Sequence, residues 1–297
     1  MAIALLCHPP ENHSQKSLLY NRSSEDSHIA LRSRRAIWIA IAFLLAEAAA
    51  MVDGFLIEPY WIEVTHHTIH AGTPAFGKAP LKIAHLTDLH THGVGVLERR
   101  LLAKLAAEKP DVIVVTGDTL SSFTGTYDEV HELLKDLHAP LGVWIVRGNR
   151  ENGRPVPDER AFYSSAGVHF LLNEAQPIRD GVWIAGLDDP SSGEPDLDAA
   201  LRDVPAGAYT IALFHAPAYF DAIAGRVTLA LAGHTHGGQV ILPFIHPVWL
   251  PKGCGRFLGG WYEEQGSRLY VSRGIGTTFL PVRFLCRPEL AIITIEP

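Results

Sequence analysis

From residue 81 onward the chain alternates two kinds of segment, and that alternation limits the folds open to it. Short, β-rich apolar runs stand at "LKIAHL" (81–86), "DVIVV" (111–115), "GVWIV" (142–146), "VWIAGL" (182–187), "TIALF" (210–214) and "VTLALA" (227–232). Their apolarity is nearly continuous, as expected of strands covered on both faces. Helical patterns lie between several of them. "VLERRLLAKLAAE" (96–108) puts Leu97, Leu101, Leu102 and Leu105 on one face, and "YDEVHELLKDLH" (127–138) does the same with Val130, Leu133, Leu134 and Leu137. Strands alternating with helices predict an α/β layered domain. The C-terminal "RLYVSRGIGTTFLPVRFLCRPELAIITIE" reads as two more strands around a Gly/Pro-rich loop.

Five of these segments end on residues able to ligate a metal. "TDLH" supplies Asp88 and His90, "TGD" supplies Asp118, "RGN" supplies Asn149, "FHAP" supplies His215, and "AGHTHGG" supplies His234 and His236. In open α/β sheets, sites form outside the carboxyl ends of the strands. Any one of these pieces alone reads as an ordinary turn or helix start. Five in order, all at strand ends, point to one shared site. Mixed carboxylate, imidazole and amide ligands suit two borderline divalent ions, Mn²⁺, Fe²⁺ or Zn²⁺. A carboxylate between two ions about 3.5–4 Å apart lets them share a hydroxide, the two-metal arrangement of phosphoryl chemistry.

Charge narrows the partners. The formal net charge is −7, and no basic block is longer than Arg32-Ser33-Arg34-Arg35. Such a chain is a poor nucleic-acid binder, because phosphate backbones need clustered cations. It can still take a phosphorylated small molecule if bound metal reverses the local sign. The three cysteines, Cys7, Cys254 and Cys286, make no disulfide framework and lie outside metal-type spacing.

The N-terminal region reads as an extension followed by a membrane-type element. Residues 1–31 are polar and read as disordered or as a mis-assigned start. Residues 32–57 combine a basic flank with the apolar "AIWIAIAFLLA" (36–46), interrupted at Glu47 and again at Asp53. A clean span needs about 20 apolar residues, so three readings stay open: an anchor, a cleaved signal, or an interfacial helix. "SRRAIW" also looks like a weak twin-arginine export signal. Membrane association through residues 36–57 is expected, with the side of the membrane undetermined; the basic flank favours an N-in orientation. Residues 58–80 read as a linker and lead-in strand, and 81–297 as the catalytic domain.

The order D-x-H, G-D, G-N, H, G-H-x-H resembles the calcineurin-like metallophosphoesterase superfamily over residues 81–297. "IEPYWIEVTHH" (57–67) and the C-terminal tail are similar to a bacterial membrane-associated or exported branch. The resemblance implies a four-layer α-β-β-α sandwich, two mixed sheets flanked by helices, and phosphoester hydrolysis by a metal-bridging hydroxide. It implies that Asp88, His90 and His236 hold one metal, that Asn149, His215 and His234 hold the other, and that Asp118 bridges them. Asn149, Arg150 and His215 are the residues it places in catalysis. Two positions depart from the pattern: Ser121 stands where a supporting acid is common, and Arg150 where a histidine is usual.

Arg150 decides which leaving groups are expected. Arginine stays charged and grips phosphate oxygens, but cannot give up a proton at neutral pH. An alkoxide needs that proton far more than a departing phosphate does, so a P–O–P bond tolerates the replacement best. His92 or His246 could supply another acid. "GNRE" resembles the G-N-R-D of the UDP-2,3-diacylglucosamine diphosphatases, which implies a lipid-linked nucleotide as substrate. Arg150 and Arg283 are then expected on the phosphate oxygens. "ILPFIHPVWLP" (241–251) and "FLGGWY" (257–262) read equally as a lipid-facing element or as packed loop. UDP-linked sugars are cytosolic, whereas an N-in anchor puts the domain outside; an exported cell-envelope phosphoesterase avoids that conflict. A non-catalytic metal-binding scaffold and a nuclease are the readings from other classes.

Overall fold

The computed structural model describes residues 34–121, 124–245, 247 and 249–297. The expected disordered stretch 1–31, Cys7 and His246 lie outside the described residues. Arg34–Tyr60 forms one helix, α1, of 27 residues, long and apolar enough to cross a membrane by length and composition. Glu47 and Asp53 interrupt the apolar run but not the helix, whose backbone ladder needs no apolar side chain. Its last turns change pitch, through a π segment at Asp53–Ile57 and a 3-10 turn at Glu58–Tyr60. The chain divides into two compact units after Met51.

In chain order the remaining strands are β1 (Glu63–His70), β2 (Leu81–Leu86), β3 (Val112–Thr116), β4 (Val143–Val146), β5 (His169–Phe170), β6 (Glu174–Arg179), β7 (Val182–Gly186), β8 (Tyr209–Leu213), β9 (Leu229–Ala232), β10 (Gly260–Glu264), β11 (Ser267–Val271) and β12 (Glu289–Glu296). The helices are α2 (Val96–Glu108), α3 (Tyr127–Leu134), α4 (Asn149–Gly153), α5 (Glu159–Ser165), α6 (Leu197–Leu201) and α7 (Phe220–Ile223). Two six-stranded sheets result, ordered β1-β12-β2-β3-β4-β5 and β10-β11-β9-β8-β7-β6. Both are mixed: β12 runs antiparallel to β2, and β10–β11 and β6–β7 are antiparallel pairs beside parallel neighbours.

The layer order follows from where alternate residues go. In β3, Ile113 and Val115 pack with Leu101 and Leu105 of α2 and with Val130, Leu133 and Leu134 of α3. Val112 and Val114 face the opposite way, into a core shared with Ile184, Ile211 and Leu231 of the other sheet. On the far side, Ala212 and Ala230 meet Leu197 of α6 and Phe220 and Ile223 of α7. Both faces of these strands are therefore apolar, which is why the runs are continuous. The result is the α-β-β-α sandwich expected, with each of the six apolar runs forming a strand. Helix α3 ends at Leu134 instead of reaching His138. Beyond it the amides of Asp136 and Leu137 bond three residues back, to Leu133 O and Leu134 O, so the segment tightens into turns.

One buried histidine makes the fold acid-sensitive. His85 of β2 is fully buried, with Nε2 2.8 Å from Thr116 Oγ1. Burial lowers its pKa from 6.5 to about 4, with Glu289 and Asp88 opposing. The folded state therefore refuses a proton that the unfolded chain accepts. Stability contributed by neutral His85 is complete above pH 6.5 and declines as pH falls toward about 4, a loss on the order of 3 kcal/mol. Urea unfolding of wild type and His85→Gln at pH 7 and pH 4.5 checks this. The variant should lose less stability on acidification, and an identical loss in both proteins would refute it.

Candidate metal centre

The ligand-type residues sit in the loops that follow β2, β3, β4, β8 and β9, and the loops are stitched to one another by their backbones. Asp88 N donates to Gly117 O at 3.0 Å and His90 N to Asp118 O at 3.0 Å. Asp88, His90, Asp118, His234 and His236 all have positive φ, between 43° and 71°. Left-handed backbone at a non-glycine residue costs energy and tends to gather at functional sites. Here it turns five candidate ligands toward one point. Two glycines permit the close approach. A Cβ on Gly148 would land on Asp118 Oδ1, and one on Gly233 would overlap Thr87 Oγ1 and Asp88 Oδ2.

Each carboxylate has one oxygen occupied and one turned inward. Asp88 Oδ2 accepts from Thr87 Oγ1 at 2.9 Å and from His234 N at 2.8 Å. Its Oδ1 is buried without a hydrogen-bond partner and lies 3.3 Å from His236 Nε2, 3.8 Å from His215 Nε2 and 3.9 Å from His90 Nε2. Asp118 Oδ1 accepts from Arg150 N at 2.9 Å, and its Oδ2 lies 3.4 Å from His215 Nε2 and 3.7 Å from His90 Nε2. Two groups have ligand atoms close enough for a metal: Asp88, His90 and His236, and Asp88, Asp118 and His215.

Three of the imidazoles have one ring nitrogen held by a backbone carbonyl, which turns the other toward the site. His90 Nδ1 donates to Leu120 O at 3.1 Å, and His215 Nδ1 donates to Thr116 O at 2.7 Å. Both Nε2 atoms are thereby left as lone pairs. His90 Nε2 and His236 Nε2 stand 3.2 Å apart, a spacing that fits two donors each about 2.1 Å from one ion. His234 is held the other way round: its Nε2 donates to Lys252 O at 2.7 Å, leaving Nδ1 as the lone pair. Asn149 Oδ1 is buried and without a hydrogen-bond partner.

The electrostatics favour positive charge at this point. Burial disfavours charge on Asp88 and Asp118, but His236 and His215 overcome it and hold both carboxyls below their usual range. Burial pulls the His215 pKa down, yet Asp118 and Asp88 lift it well above the ordinary histidine value. Burial drops that of His236 to about 3, against the pull of Asp88. Two carboxylates with inward, solvent-free oxygens, their charge drawing positive charge onto the buried His215, fit divalent ions.

An open pocket of about 290 Å³ lies over this cluster, lined by Asp118, Asn149, Arg150, His234, His236 and Lys252 among others. Arg150 donates from Nη2 to Thr278 Oγ1 at 2.9 Å, its Nε is 3.7 Å from Asp118 Oδ2, and its guanidinium lies 5.6 Å from the Phe279 ring centroid. It stands at the pocket wall. Ser121, standing where a supporting acid is common, has its Oγ 2.7 Å from His92 Nε2.

Arg283 is a correction. Its side chain is fully buried and donates to the carbonyls of Gly276, Cys286, Arg273 and Gly274 at 2.7–3.2 Å. A fully buried guanidinium held by four backbone carbonyls does not reach a phosphate in the pocket. It holds the 273–286 loop, from which Gly276 N donates to Asp88 O at 2.7 Å.

Three features escaped the sequence reading. Glu151, fully buried, accepts from Asp118 N, Leu120 N, Gly148 N and Thr119 Oγ1 at 2.8–3.0 Å. Its only signal was its place directly after Arg150. Asp188 and Asp189 follow β7, a sixth strand end. Asp188 binds Arg147 at 2.9 Å, and Asp189 accepts from the pocket residues Ser191 and Ser192 at 2.6 Å. Lys252 at the pocket wall carried no local pattern at all.

A profile described as calcineurin-like phosphoesterase matches residues 81–238. An uncharacterized metallophosphoesterase of Bacillus subtilis, YkuE, is 34% identical over 251 residues, covering 81% of this chain and 87% of that protein. An uncharacterized metallophosphoesterase of Aquifex aeolicus is 32% identical over 249 residues, covering 81% and 94%. The phosphodiesterase YaeI of Escherichia coli is 26% identical over 284 residues, covering 88% and 98%. With those matches laid over a cluster of inward carboxylates and imidazoles, the chain belongs to the calcineurin-like phosphoesterase family.

Proposed function

We propose that this metal-dependent phosphoester hydrolase cleaves bonds whose leaving group departs without a proton, a phosphoanhydride or an activated phosphodiester. The finer reading is a nucleotide-linked lipid diphosphate of the UDP-2,3-diacylglucosamine type. Asp88, His90 and His236 would hold one divalent ion, and Asp118, His215, Asn149 and His234 the other. Such ions, when bound, neutralise phosphoryl oxygens and acidify a water.

The observation that carries the reading is Arg150 at the pocket wall, with one Nη donating to Thr278 and its Nε near Asp118. A fixed, permanently charged guanidinium orients a phosphoryl group through its planar donors and offsets charge developing there. It has no proton to give at neutral pH. Lys252, at the same wall, adds positive charge on a strongly hydrated head. The relative named as a phosphodiesterase supports a diester over a simple monoester.

A substrate panel in Mn²⁺ tests this. Wild type should turn over a diphosphate or an aryl diester at least about 100-fold faster than an alkyl monoester, since general acid catalysis contributes roughly 10²–10⁴-fold. Arg150→His should narrow that ratio by about tenfold or more. Equal turnover of alkyl monoesters by wild type would count against the assignment.

A second reading, an exported envelope phosphoesterase, is favoured by α1 and by Arg34 and Arg35 at its start, which fit an N-in anchor. A reporter fused to the C-terminus decides between the two sides of the membrane.

A further inference from the structure

We propose that Asp189, acting through Ser191 and Ser192, makes one wall of the pocket an acceptor surface, so that the preferred substrate carries a hydroxyl or ammonium donor on the alcohol next to phosphorus. The proposal rests on the phosphoester reading above and adds what the ester group must carry.

Serines beside a phosphoryl site are expected to donate to phosphate oxygens. Here that donation is already made. Ser191 Oγ and Ser192 Oγ both donate to Asp189 Oδ2 at 2.6 Å. A hydroxyl has one proton and two lone pairs, so each serine is left with lone pairs alone. Ser192 uses one of them, accepting from Asn152 Nδ2 at 3.1 Å. The same amide donates to Asp188 Oδ1 at 3.1 Å, and a carboxylate on that side fixes which end of the amide is the nitrogen. Among the described residues no group donates to Ser191 Oγ. Asp189 is fully buried, and its Oδ1 has no hydrogen-bond partner. The wall therefore holds more acceptors than the protein satisfies. A phosphoryl oxygen laid against it would meet lone pairs with lone pairs. An O–H or ammonium N–H would find an acceptor strengthened by the carboxylate behind it.

The serines stand near the reacting end. Both line the pocket over the metal centre and are exposed there. A Cβ on Gly253 would lie 3.2 Å from Ser191 Cβ and 3.6 Å from His234 Nε2, so Ser191 is a close neighbour of a candidate ligand. The turn that carries them is tied to the segment of Arg150. Asp188 accepts from Arg147 Nε at 2.9 Å and from Asn152, two residues beyond Arg150. Arg150 and Lys252 share the pocket with the serines. The two cations draw the phosphoryl group and the serine lone pairs turn it away, so the two halves of the ester are sorted by opposite preferences. Asp189 reaches no substrate itself and is a positioning residue.

The test uses full-length, Mn²⁺-loaded protein and p-nitrophenyl phosphodiesters of ω-hydroxyalkyl and ω-methoxyalkyl alcohols with two to four carbons. The methoxy twin keeps an acceptor oxygen and has no proton to donate. Ring closure by the hydroxyl without enzyme is subtracted. At the best chain length kcat/KM should favour the hydroxy ester by about tenfold, the worth of one hydrogen bond. That ratio should fall to about one in Ser191→Ala. In Asp189→Leu the serine protons are released and the ratio should drop below one, a reversal that loss of structure alone does not produce; if that variant does not fold, Ser191→Ala decides. Calorimetric binding of 3-hydroxypropylphosphonate against 3-methoxypropylphosphonate reads the same preference without turnover. Equal kcat/KM for both twins at every length, with good turnover, overturns the proposal and spares the hydrolase reading. A wild-type preference for the methoxy ester, or an undiminished ratio in Ser191→Ala, also overturns it. Tighter binding of the hydroxy phosphonate with no turnover of any ester supports the acceptor wall and defeats the hydrolase reading instead.

Discussion

Asp118→Asn should reduce hydrolysis of every phosphoester tested by about 10³-fold or more, a barrier increase of roughly 4 kcal/mol, with little change in fold. The substitution is close to isosteric. The amide oxygen can still accept from Arg150 N, now at 2.9 Å from Asp118 Oδ1. The lost element is the negative charge on Oδ2, which faces His215 and His90 at 3.4 and 3.7 Å. Without it the pocket keeps its shape but draws divalent ions less strongly, and one of the two inward anionic oxygens is gone. Metal analysis of the purified variant should show less bound ion per chain, and its unfolding transition should stay near that of wild type. Undiminished hydrolysis at full metal load would remove Asp118 from the centre.

Glu151→Ala should have the largest effect on stability, on the order of 4 kcal/mol, because several buried donors lose their acceptor at once. The carboxylate is fully buried and joins the loop after β3 to the start of α4 through Asp118 N, Leu120 N, Thr119 Oγ1 and Gly148 N. Glu151→Gln should fall between, since it keeps one acceptor oxygen but turns an NH₂ toward N–H donors. Metal affinity should drop as well, by about 10- to 100-fold, as happens when a group that orients ligands is removed. Urea titrations of the three proteins at pH 7 check the order wild type, Gln, Ala. An alanine variant as stable as wild type would show that these donors find other partners, and would end the positioning role.

Much of the molecule was legible in the linear chain for a definite reason. A strand buried on two faces must be apolar at every position, as in β3, and a helix on one face must repeat every three to four residues, as in α2. Those patterns are local, so the six apolar runs and the α/β layering could be read from them. The candidate ligands were legible because each sits directly at a strand end, and a sheet brings such ends to one edge. The continuity of α1 past Glu47 and Asp53 was not, since a window of hydropathy cannot see a backbone ladder.

What only the tertiary structure decided depends on contacts between distant segments. Arg150 follows Gly148-Asn149 at a strand end and stands in the pocket, whereas Arg283 is buried among four carbonyls. Nothing within a few residues of Arg283 announces that burial. Glu151, Asp189 and Lys252 acquire their places because loops from several strands converge, and the left-handed turns that aim Asp88, His90 and Asp118 are held by those same crossings. Periodicity and strand-end chemistry are written locally. Burial of a charge, the partners of a hydrogen bond and the walls of a cavity belong to the packed chain, because each requires atoms that meet only after folding.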